Sequence, residues 1–147
     1  MKRIIVFALF IQVSINSFCW GFYGHQRINY LSVFLLPPEM LVLFKPSIQF
    51  LTDHSVDPDK RRYAITEEGP RHYIDMDNYG KHPYPDLPRR YDDAVKKYGE
   101  DTVIANGIVP WWIPIMQQRL TNAFKEKNQA KILKLAAELG HLSLIHI

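Results

Sequence analysis

Trp20-Gly21-Phe22-Tyr23-Gly24-His25 is the segment with the most specific chemistry in this chain. It follows a stretch that reads as a cleavable secretory signal. If cleavage falls between Cys19 and Trp20, the tryptophan becomes a mature N-terminus. Its free α-amine and its own carbonyl oxygen then form a chelate for a metal, and His25, from the first turn of a helix, adds a third ligand. Loss of Cys19, the only cysteine, leaves no disulfide and no thiolate. His, Asp, Glu and backbone groups must then hold any metal.

Three further segments carry imidazoles and carboxylates: His54-Ser55-Val56-Asp57-Pro58-Asp59-Lys60-Arg61-Arg62, Arg71-His72-Tyr73-Ile74-Asp75, and Leu139-Gly140-His141 at the end of an amphipathic run. Zinc, a borderline-soft ion, takes such nitrogen and oxygen ligands from scattered segments. Singly, each segment has a plainer reading. A histidine at a helix end interacts with the helix dipole. An Asp-Pro-Asp-Lys-Arg-Arg run makes a solvated turn. His72 and Asp75, three apart, pair locally on one helix face. Trp111-Trp112 reads as packing rather than as a base-stacking platform.

Taken in order, the four segments resemble the N-terminal part of the zinc-dependent phospholipase C and S1/P1 nuclease superfamily. The resemblance covers Trp20 to His141. It implies an all-α fold holding three zinc ions. Trp20 and His25 would bind one zinc, and Asp57, His72 and His141 another. Asp57 would also orient the attacking water, with Asp53 and Asp59 as its rivals. Asp57 is preferred because Ser55-x-Asp57 followed by Lys60 fits the family's turn. Lys60 stands where the nuclease branch places a phosphate-contacting base. The implied reaction is hydrolysis of a phosphodiester by a water that clustered zinc ions acidify toward roughly pKa 7. A phospholipid is the first substrate expected, and single-stranded nucleic acid the alternative.

The chain departs from the family pattern after His141. There the family supplies a bridging Asp, a further His and a later His-x-x-x-Asp/Glu helix, none of which occurs here. The expectation is therefore a partial domain over 20–147, whose tail 142–147 reads as an artefact. Such a chain should bind zinc incompletely and be catalytically inactive as it stands. Two rival readings are a secreted non-catalytic helical binding module and, if residues 1–19 stay uncleaved, a membrane-anchored scaffold.

The elements that must position these residues follow from composition and periodicity. Lys2 and Arg3, the apolar run Ile4–Val13 and a more polar end at 14–19 form the signal peptide, 1–19. The apolar run is shorter than the roughly 20 residues that span a bilayer. Secretion or a periplasmic location is expected, with no stable span after cleavage. Of the formal charge of +3, Lys2 and Arg3 contribute two units, so the mature chain is near neutral. That gives no basic face for coating nucleic acid and suits a lipid slightly better than a polyanion. The 47% apolar content supports one globular domain.

Helical spacing puts His25, Asn29, Ser32 and Leu36 on one face of a helix over 24–36. Pro37-Pro38 opens the next helix, and Pro46 breaks it. Residues 52–88, rich in Asp, His, Pro and Gly, read as an irregular functional stretch. Helices follow over 90–105, from Pro110 (with Pro114 in its first turn or kinking it), and after an Asn128 N-cap. No segment alternates like a strand.

Overall fold

Proline and asparagine punctuation cuts this chain into short helices, and tertiary packing rather than length holds them. In the computed structural model, residues 21–144 are described, with side chains through Ser143. The signal segment 1–19, Trp20 and His146 lie outside the described residues. All regular structure described is helical, and no strand occurs among the described residues. The all-α class is therefore met. The helices are α1 (Phe22–Ser32), α2 (Pro38–Phe44), α3 (Ile48–His54), α4 (Asp57–Arg61), α5 (Tyr91–Tyr98), α6 (Glu100–Ala105), α7 (Val109–Lys125) and α8 (Gln129–Leu144). Short 3-10 turns at Val33–Leu35, Lys45–Ser47, Thr66–His72 and Met76–Tyr79 fill the connections.

The long pair α7 and α8 forms the frame. A three-residue turn joins them, with Lys127 in the left-handed region at φ 52°. Asn128 caps α8 through its side-chain oxygen, which accepts from the Lys131 amide at 3.1 Å, as the sequence predicts. α8 then runs unbroken through His141 to Leu144, and Leu142 is buried. α1 and α3 pack on one side of α8. Val33, Phe44, Leu51, Ala123, Ile132, Leu133 and Ala137 form the main core there. Burying a large aliphatic or aromatic side chain of this kind contributes about 1.5–3 kcal/mol, which short helices with little stability of their own require.

A smaller cluster of Tyr79, Ala94, Val103 and Trp111 holds α5 and α6 against the start of α7. The single helix expected over 90–105 is two. Gly99 adopts φ +84° between them, a conformation that costs glycine nothing and ends α5. The expected irregular stretch 52–88 contains the end of α3, α4 and two of the 3-10 turns. Three backbone bonds tie it to the segment before α7: Ile108 N–H to the Pro70 carbonyl at 2.7 Å, Asp75 N–H to Asn106 at 2.7 Å and Val109 N–H to Tyr73 at 3.3 Å. Among the described residues no helix is long and apolar enough to cross a membrane.

Candidate metal centre

Four separate segments deliver side chains to one point. α1 brings His25, α4 brings Asp59, the 3-10 turn 66–72 ends in His72, and α8 brings His141. The Asp59 carboxylate divides between them. Its Oδ1 lies 3.6 Å from His141 Nε2 and 3.8 Å from His72 Nε2, while its Oδ2 lies 3.9 Å from His25 Nε2. The His25 and His141 rings stack with centroids 4.1 Å apart, and His72 meets His141 edge-on at 5.3 Å.

These separations are too long for hydrogen bonds. They are close to the edge of a tetrahedron of ligands around zinc, roughly 3.4 Å for bonds of about 2.1 Å. The donor atoms of His25, Asp59 and His141 all lie within 4.8 Å of one another.

The buried nitrogens give a second, independent sign. His25 Nδ1, His72 Nε2 and both ring nitrogens of His141 are buried without a hydrogen-bond partner. Each such orphan costs about 1–3 kcal/mol, and a protein seldom gathers several in one place. A bound cation would satisfy the Nε2 atoms that face Asp59. His72 is already set for that role. Its Nδ1 is 2.7 Å from the Glu68 carbonyl, so Nδ1 carries the proton and donates, and the Nε2 lone pair is left toward Asp59. The residues present therefore fit a divalent cation with nitrogen and carboxylate ligands.

His72 and His141 are also biased toward the neutral form that ligation needs. Burial pushes the His141 imidazole down to about 4, reinforced by the charge of His25 and opposed by Asp59. Burial likewise lowers His72, against the Glu68 carbonyl bond. The sign of the stability effect follows. Between pH of about 6.5 and 4 the unfolded chain binds a proton that the buried His141 refuses. Metal-free protein should therefore lose stability as pH falls through that window and hold it fully above. Urea midpoints in chelator across pH 4–8 check this, and a flat profile between 6.5 and 4 would contradict the buried neutral imidazole.

The residues expected from the sequence fall into three groups. His25, His72 and His141 come together. Asp57 does not face them. Its Oδ2 lies 2.6 Å from His54 Nδ1 and its Oδ1 3.4 Å from Lys60 Nζ. Burial pulls the Asp57 carboxyl upward, but the His54 bond and charge, then Lys60, outweigh it and leave the pKa below the usual range. Lys60, about half exposed, is spent on Asp57. Asp59, only a rival on sequence grounds, is the carboxylate that meets the three imidazoles. The cause is local. Asp57 and Asp59 stand two apart at the start of a one-turn helix, so they point about 200° apart around it, and Asp57 is the one engaged by His54 and Lys60. Trp20 lies outside the described residues, so its share in the centre is not described.

The expected local pair of His72 and Asp75 does not form a shared helix face. The 3-10 turn ends at His72, and Tyr73 is extended. Trp111 is buried, and its Nε1 donates to the Pro88 carbonyl at 3.3 Å. Trp112 lies between two guanidinium groups, Arg71 at 4.1 Å and Arg119 at 4.9 Å from its ring. Compared with family models, with curated proteins and with solved structures, the chain matches none.

Proposed function

We propose that this chain carries part of a zinc-dependent phosphodiester hydrolase of the phospholipase C and S1/P1 nuclease type, secreted or periplasmic. The observation that carries the reading is the convergence of His25, His72 and His141 on Asp59 from four segments, with the buried Nε2 atoms of His72 and His141 directed at that carboxylate and otherwise unpartnered. The His72 and His141 nitrogens share Asp59 Oδ1, and His25 faces Oδ2. Asp59 would then hold a zinc together with these imidazoles and orient the water, the part that the family resemblance gave to Asp57. When bound, zinc would supply Lewis-acid chemistry, acidifying water and neutralising phosphoryl charge. The chain's own part is to present three imidazoles, those of His72 and His141 biased toward the neutral form, and a half-buried carboxylate, Asp59, to orient a water and take its proton. Lys60 is free for a phosphate only if it leaves Asp57.

Metal binding is the direct measurement of this reading. Zinc should raise the unfolding temperature, and a chelator should lower it and reduce helicity. By that linkage a free zinc concentration 100-fold above Kd adds about 2.7 kcal/mol. A thermal melt indifferent to zinc and chelator would remove the metal reading and leave the non-catalytic helical binding module. The near-neutral mature charge favours a phospholipid over a polyanion as the substrate of the complete enzyme. Parallel assays on phosphatidylcholine vesicles and on single-stranded DNA separate the two.

A further inference from the structure

Next to the metal ligands in sequence lies an ion network with buried carboxylates and partly exposed guanidinium groups that the proposed chemistry does not use. Arg61 Nη1 donates to Glu138 Oε1 at 2.7 Å, and Arg61 Nη2 donates to Glu68 Oε1 at 3.2 Å. Arg71 Nη1 donates to Glu68 Oε2 at 2.9 Å. Glu68 and Glu138 are 3% and 5% exposed, so both carboxylates are out of water. Two arginines balance two glutamates.

As a source of stability such a network is a poor choice. Desolvating the ions offsets most of their attraction, and apolar side chains of the same volume often do as well. What a guanidinium fork supplies instead is fixed geometry between two carboxylates.

The three segments joined this way are the ones that carry Asp59, His72 and His141. Arg61 is two residues past Asp59 in α4, a helix of five residues too short to persist alone. Glu68 is the third residue of the turn that ends at His72, and its carbonyl accepts the hydrogen bond from His72 Nδ1. Glu138 sits one helical turn before His141 in α8.

We propose that Arg61, Glu68 and Glu138 are positioning residues that clamp α4, the 66–72 turn and α8 at the separation the metal ligands need. This inference rests on the metal reading above. Cobalt(II) provides the test, because its visible absorption reports the ligand geometry directly. The variant Arg61→Met alone strands two buried carboxylates and is at risk of not folding. The triple variant Arg61→Met/Glu68→Gln/Glu138→Gln leaves no charged carboxylate buried there, and Arg71, which loses the charge of Glu68, keeps contact with water at 27% exposure. The triple variant should keep its helical circular dichroism, bind cobalt ~10–100-fold more weakly, as loss of a ligand's supporting partner does, and show an altered cobalt spectrum. Arg61→Lys, which keeps the charge but not the fork, should fall between.

A triple variant with wild-type affinity and spectrum would overturn the clamp. If the wild-type chain itself binds no cobalt, the metal reading fails, and amide exchange in metal-free protein then decides the clamp separately. Faster exchange over 57–61 and 68–72 in the triple variant would uphold it, and unchanged exchange there would overturn it.

Discussion

Asp59→Asn is expected to weaken zinc binding by well over the ~10–100-fold that loss of an outer hydrogen-bond partner costs, whereas Asp57→Asn should leave affinity nearly unchanged. The amide in place of the Asp59 carboxylate would keep the size of the side chain and one carbonyl oxygen, but not the negative charge or the second oxygen. In this structure Oδ1 serves His72 and His141 while Oδ2 serves His25. One substitution therefore removes the carboxylate that, alone among the described residues, lies within 4 Å of all three imidazoles. Asp57→Asn removes instead the charge partner of His54 and Lys60. That site is half open to water, so its loss should show as a small change in stability. Isothermal titration of both variants with zinc checks the pair. Equal losses, or a larger loss for Asp57→Asn, would return the ligand role to Asp57.

The same comparison marks how far the sequence was legible. That His25, His72 and His141 would come together was legible only from the order of the segments, a Gly-x-x-Gly-His start, a His-Tyr-Ile-Asp stretch and a Leu-Gly-His helix end, since each alone has a plainer reading. Their carboxylate partner was not. Two aspartates flank one proline, and motif fit favours the first. The local bond from His54 engages Asp57, while Asp59 meets His25, His72 and His141 from distant segments, contacts that only the tertiary fold reveals.

The helical class and the Asn128 cap follow from local rules, periodicity and capping chemistry, and both hold. The break at Gly99 was also local, since a glycine inside a helical pattern is a break signal, but the apolar spacing on either side of it masks the interruption. The Arg61 network could not be read at all. Its partners lie 7 and 77 residues away, and in sequence the basic run looks like a solvated turn.

Gly140→Ala should destabilise the protein, although alanine in a helix interior normally gains about 1 kcal/mol over glycine. A Cβ at position 140 would stand 2.3 Å from Asn29 Oδ1 and 3.1 Å from its Cγ. Asn29 has little room to yield. It is 6% exposed, and its Nδ2 is bound to the His25 carbonyl at 3.1 Å. The methyl must therefore push α1 away from α8, an overpacking cost of about 1–3 kcal/mol that outweighs the helix gain.

The shift reaches the metal centre directly. Gly140 adjoins His141, Asn29 lies one turn from His25, and these two rings are in contact at 4.1 Å. Zinc affinity should fall together with the unfolding midpoint. The pair can be separated from a general helix effect by a double-variant cycle. In an Asn29→Ala background the obstacle is gone, so Gly140→Ala should become neutral or stabilising there. If it costs as much without Asn29 as with it, the close approach of α1 and α8 is not what glycine at this position protects.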